Sequence, residues 1–163
     1  MNRVGYGAMR LAGPGAWGPP DDPESARRVL RLAVELGVTF FDTANAYGPR
    51  TVNRLIGEAL RPFPEGVIVG NKVGAGRGPD KSWTITDDPA TVRAQVLEAL
   101  ADLGTEASDL TYLRLAGDTP GVAGSGVPWR NRSASSSSCA TRGSSAASGC
   151  PARRRRCWPA RSG

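Results

Sequence analysis

Between Val4 and Leu115 short β-branched and aromatic runs alternate with amphipathic helical patterns, and this alternation restricts the fold more than any other feature of the sequence. Strands are expected at Val4–Leu11, within Val38–Asp42, at Val67–Val73 and at Leu110–Leu115. The spacing predicts three helices between them. Asp22-Pro23-Glu24 supplies a cap, a proline at the first helical position and an acid in the first turn; Ala26, Val29, Leu30, Ala33 and Leu36 form one stripe, and Gly37 stops it. Val52, Leu55, Ile56, Ala59 and Leu60 repeat that stripe until Pro62, and Asp88-Pro89 opens a third helix running to Gly104. Strands separated by helices of crossover length make a parallel sheet, either open and doubly wound or closed as a (β/α) barrel. Gly5-Tyr6-Gly7-Ala8-Met9-Arg10 lacks the third glycine of a dinucleotide fingerprint and no helix follows at once, which disfavours a Rossmann domain. Two glycine-rich segments, Leu11–Pro20 and Gly74–Trp83, are expected to be long loops.

In such sheets ligands bind beyond the carboxyl ends of the strands. The run Val38-Thr39-Phe40-Phe41 ends there in Asp42, with Tyr47 five residues on, and the run from Val67 ends in Asn71-Lys72, so Lys72 takes the topological place of Asp42. Asp42, Tyr47 and Lys72 should therefore share one face. Each has an ordinary alternative: a loop cap for Asp42, a half-buried aromatic for Tyr47, a solvated strand end for Lys72.

Composition divides the chain. All 15 Asp and Glu lie at or before Asp118, whereas eight of the 21 Lys and Arg follow Gly121, so the net +6 is 13 − 15 = −2 in the front and +8 in the tail. Cys139, Cys150 and Cys157 are all in the tail at spacings that match no zinc or redox pattern. The complete absence of histidine removes the commonest acid/base group and metal ligand, and no metal is expected. Ser133–Ser138 and Arg153–Arg156 interrupt any periodicity, so residues 122–163 are expected to be disordered. Loss of acids and of periodicity, with a surge of Arg, Ser, Cys and Trp, is also what a shifted GC-rich reading frame gives. The basic run is not expected to bind nucleic acid. No secretory or membrane-spanning pattern is present, which makes a cytoplasmic protein the default expectation.

Phe41-Asp42-Thr43-Ala44-Asn45-Ala46-Tyr47-Gly48, Asn71-Lys72 at a strand end, and Asp109-Leu110-Thr111-Tyr112-Leu113-Arg114 together resemble the aldo-keto reductase superfamily. Gly5–Gly15 with Trp17-Gly18-Pro19-Pro20, and Arg77-Gly78 with Ser82-Trp83, resemble its bacterial pyridoxal reductase or pyridoxine 4-dehydrogenase branch. The match covers roughly residues 4–121. It implies a (β/α)8 barrel of the TIM type binding NADPH (or NADH) and reducing a small-molecule carbonyl to an alcohol. It implies that Tyr47 donates a proton to the carbonyl oxygen, that Lys72 favours the phenolate, and that Asp42 holds the ammonium. A free phenol is a weak acid, near pH ~10, and an adjacent ammonium makes it stronger. The family commonly places histidine where this chain has Arg114; the pyridoxal branch carries arginine. Ala8, Met9 and Asp42 match positions near the nicotinamide, and Trp17, with Tyr47, matches a wall of the substrate pocket, although core packing for Met9 and a surface-loop position for Trp17 are ordinary alternatives.

A (β/α)8 barrel takes about 250 residues and eight strands. Here about four βα units are expected before the pattern fails, which makes residues 1–121 the N-terminal half of a barrel, truncated and weakly active or inactive. A non-catalytic half-barrel fragment and a protein that binds through its basic tail are the competing readings.

Overall fold

The computed structural model describes residues 3–115. The expectations for residues 122–163, disorder and a shifted frame, lie outside the described residues. The elements are β1 (Tyr6–Gly7), α1 (Pro23–Glu35), β2 (Phe40–Ala44), α2 (Thr51–Leu60), β3 (Ile68–Val73), β4 (Ala75–Arg77), β5 (Trp83–Ile85), α3 (Pro89–Leu103) and β6 (Leu110–Leu113). β1, β2, β3 and β6 form one parallel sheet in that order. The βα alternation read from the sequence is thus a curved section of barrel wall, with α1, α2 and α3 packed in succession outside it.

Two expectations need correction. The first strand is not Val4–Leu11 but two residues, because only Tyr6 and Gly7 find partners, Phe41 and Asp42, on β2. Beyond them Ala8–Leu11 winds into a 3-10 turn and Pro14–Ala16 into another. Gly74–Trp83 is not a plain loop, since β4 and β5 pair antiparallel as a hairpin, with Arg77 opposite Trp83.

The helix ends follow local chemistry. Asp22 accepts from the Ser25 amide at 3.0 Å, and Asp88 accepts from the Thr91 hydroxyl at 2.7 Å and its amide at 2.8 Å, each ahead of a proline at the first helical position. The Thr91 hydroxyl, then its amide, hold the Asp88 carboxyl below the usual carboxylate range. A carboxylate lowered in the folded state adds stability above its unfolded value, near ~3.9, and loses it as pH falls through the folded value. Asp88→Ala is therefore expected to lower the thermal midpoint at neutral pH, and the gap from the unsubstituted protein is expected to narrow as pH falls from ~5 towards ~2 in thermal scans.

Alternation along the strands sends Phe41 and Thr43 of β2, and Val69, Asn71 and Val73 of β3, towards the helices, where all five are buried. The core between sheet and helices centres on Leu30, Phe41, Val52 and Ile56, all fully buried. Gly57 lets α2 and α3 approach, because a Cβ there would lie 2.6 Å from the Asp102 carbonyl oxygen and 3.0 Å from that of Leu103. Both obstacles are backbone, so Gly57→Ala is expected to force the helices apart and cost about 1–3 kcal/mol in urea unfolding.

Candidate active site

The other parity of the strands faces the lumen: Phe40 and Asp42 from β2, Gly70 and Lys72 from β3, Tyr112 from β6. Gly70 is what admits the rings beside it. A Cβ there would meet the Phe40 ring at 2.9 Å and the Tyr112 ring at 3.2 Å.

Lys72 donates through its ammonium to both carboxylate oxygens of Asp42. The pair is half-buried, with 21% of the Lys72 side chain and 35% of the Asp42 side chain exposed, so the charges offset one another while water still reaches them. Lys72 Nζ also lies 5.5 Å from the centre of the Tyr47 ring. Tyr47 is buried in the turn after β2, with its amide donating to the Ala44 carbonyl at 3.1 Å. The strand-end acid, the lysine and the tyrosine are brought together as the sequence suggested.

Arg114, the residue after β6, stands with Asp42 and Lys72 at the strand ends. Its backbone amide donates to the Val73 carbonyl at 2.8 Å, which extends the parallel register to the end of the sheet. Asp42, Lys72, Tyr112, Leu113 and Arg114 line a cleft of about 240 Å³. Tyr112 was not singled out from the sequence, although it stands two residues before Arg114 and hence on the same strand face; its register partner is Lys72.

The residues implied near a nicotinamide separate. Ala8 is fully buried in the core, while Met9 is 42% exposed and lines a larger cleft of about 670 Å³ between the loop after β1 and Trp83. Trp17 stands on that loop beneath Arg77, the guanidinium 5.5 Å from its ring centre.

A buried polar cluster supports the strand ends from behind. Thr43 donates to the Asn53 side-chain oxygen at 2.8 Å; the Asn53 amide donates to Asn71 at 3.1 Å and to Asn45 at 3.3 Å. Asn71 donates to Asn45 at 2.9 Å, and Asn45 to the Gln95 carbonyl at 2.7 Å. Thr43 and Asn71 are neighbours in sequence of Asp42 and Lys72, so the cluster fixes the strands that carry the ion pair. Only Asn71 stood out in the sequence, as half of a polar pair ending a strand.

Among the described residues no group of three or more His, Cys, Asp or Glu is placed to hold a metal ion, and no helix is long and apolar enough to cross a membrane.

The family model for the aldo/keto reductase family matches residues 3–116, and the chain belongs to that family. It is 45% identical over 124 residues to the pyridoxine 4-dehydrogenase of Escherichia coli, a match covering 76% of this chain and 43% of that protein. It is 38% identical over 113 residues to an uncharacterised oxidoreductase of Schizosaccharomyces pombe, covering 69% and 37%. Among solved structures it resembles the holo form of the aldo-keto reductase AKR11C1 of Bacillus halodurans (28% identity, TM-score 0.59, 72% of this chain and 37% of that one). The glycerol dehydrogenase AKR11B4 of Gluconobacter oxydans is similar (28%, 0.62, 74% and 38%). The chain therefore spans about two fifths of the length of the relatives it matches.

Proposed function

We propose that this chain carries the proton-delivering part of a carbonyl reductase site, in which NADPH or NADH reduces a small aldehyde or ketone, of pyridoxal type, to the alcohol. The observation that supports this most directly is the lysine between a carboxylate and a tyrosine ring at the carboxyl ends of β2 and β3. Bound at the lumen face, the nicotinamide would supply hydride to the carbonyl carbon. The residues present suit its reactive end: Asp42, Lys72 and Arg114 line a cleft at the strand ends, and the Asp42 side chain is partly exposed there. Tyr47 gives its hydroxyl proton to the carbonyl oxygen. Lys72 stabilises the phenolate left behind, and Asp42 keeps the ammonium in place. Arg114 donates hydrogen bonds that orient the carbonyl; a guanidinium stays charged and cannot relay the proton, which leaves that step to Tyr47. A cytoplasmic setting accompanies this reading. So does the division into residues 1–121, a barrel section, and an out-of-frame 122–163, which the nucleotide sequence around codons 115–130 tests.

A second, non-catalytic reading is favoured by the sheet itself: among the described residues neither β1 nor β6 has a partner on its outer edge. Titration of the chain with NADPH, followed by pyridoxal, separates the two. Saturable quenching of NADPH fluorescence and consumption of NADPH on adding pyridoxal are expected. No quenching up to millimolar NADPH would leave the non-catalytic reading in possession.

A further inference from the structure

Arg77 ends β4, five residues after Lys72, yet its side chain reaches across to the loop after β1. The guanidinium carbon lies 4.3 Å from the ring centre of Trp83 and 5.5 Å from that of Trp17. Its Nη2 donates to the Gly15 carbonyl at 3.2 Å and its Nε to the Lys81 carbonyl at 3.1 Å. One planar cation thus holds two rings and two backbone segments that no strand pairing joins.

The segment it holds would not keep its shape unaided. Gly15, Ala16 and Gly18 all have positive φ, at 69°, 55° and 69°, and alanine is disfavoured there. Backbone of this kind persists when its surroundings over-determine it. The Gly13 amide donates to the Gly18 carbonyl at 3.1 Å, and the Trp17 amide to the Gly13 carbonyl at 3.4 Å.

The loop in turn bears on the candidate proton donor. The Gly48 amide donates to the Ala16 carbonyl at 3.0 Å, and a Cβ on Gly48 would stand 2.9 Å from the Gly18 carbonyl oxygen. Gly48 follows Tyr47 directly. Arg77, Gly15, Ala16, Gly48 and Tyr47 therefore form one continuous mechanical path.

We propose that Arg77 is a positioning residue: clamped between Trp17 and Trp83 and bonded to Gly15, it fastens the loop after β1 to the hairpin after β3, fixing the backbone that braces Tyr47. The significance of that brace for catalysis rests on the proposed function; the clamp itself does not.

Amide hydrogen exchange on the full chain tests it without cofactor or substrate. In Arg77→Ala the amides of Trp17 and Gly48 are expected to exchange about tenfold faster or more, with those of α1, α2 and α3 unchanged. Arg77→Lys keeps a cation over the rings but loses the two-armed reach, so it should fall between, and it carries the test if Arg77→Ala does not fold. Unchanged exchange at Trp17 and Gly48 in the folded variant would overturn the proposal, as would equal acceleration throughout the three helices, which marks a general structural role. A chain that neither binds NADPH nor reduces pyridoxal overturns the proposed function and leaves the exchange result standing.

Discussion

Tyr47→Phe is expected to slow carbonyl reduction by about 10²- to 10⁴-fold relative to the unsubstituted chain, the span over which a positioned acid contributes to a rate. The substitution keeps the ring that packs in the core and removes only the hydroxyl. NADPH affinity should stay within a factor of ~2, because the lost interaction belongs to the transition state rather than to cofactor binding. Lys72→Met should slow the reaction by a comparable factor through a different cause: the phenol remains, but nothing stabilises it as it loses its proton. Part of the Asp42 side chain is in water, so folding should survive, as far-UV circular dichroism can check. On the proposed function both residues serve one proton transfer, so the double substitution should be little worse than either alone. NADPH consumption in single-turnover mixing measures all three. Full rate in Tyr47→Phe would show that the proton comes from elsewhere; additive losses would separate Lys72 from the phenol.

The sequence made the helices and the strand-end charges readable, for reasons visible in the residues. Asp22-Pro23, Asp88-Pro89 and Gly104 act within one turn of chain, so their meaning survives without tertiary context, and α1 and α3 begin where those caps put them. Asp42, Lys72 and Arg114 each interrupt an apolar run at its carboxyl end, and the topology that gathers such ends is general to parallel βα sheets.

What could not be read depends on distant partners. Val4–Leu11 pairs for two residues rather than eight because the chain turns out of the sheet at Ala8, although β2 runs on to Ala44. Ala75-Gly76-Arg77 has little intrinsic strand preference; its pairing with β5 shows only once Arg77 stacks on Trp83 and a tight turn at Gly78–Lys81, with Lys81 at φ 66°, brings the arms together. Tyr112 stands beside Lys72 through the register of β6 on β3, which the residues of β6 alone do not specify. Polar residues in a layer expected to be apolar are equally silent: Asn53 lies on the buried side of α2, where periodicity looks for leucine.

That asparagine carries the other large expectation. Asn53 is fully buried and is the hub through which Thr43 of β2 and Asn71 of β3 are tied to α2. Asn53→Asp preserves the shape and reverses the chemistry. The Thr43 hydroxyl can still donate, but the two amide protons offered to Asn45 and Asn71 are replaced by a carboxylate oxygen facing two carbonyl oxygens. Leaving buried polar groups unpaired costs about 1–3 kcal/mol each, and a buried charge adds to this, so a loss of about 3–5 kcal/mol at neutral pH is expected in urea unfolding. The sign of the pH dependence follows from the same geometry. Burial and the facing oxygens raise the pKa of the introduced carboxyl in the folded state above its unfolded value of ~3.9, so the penalty is present at neutral pH and is relieved as pH falls through the raised value. Protonation also restores one donor, which can be aimed at Asn71. Asn53→Leu should cost stability without this recovery, because it leaves the Thr43 hydroxyl and the Asn71 oxygen unpaired at every pH. A loss below ~1 kcal/mol in Asn53→Asp would mean that water or a rearranged amide replaces the hub, and that the strand ends under Asp42 and Lys72 do not depend on it.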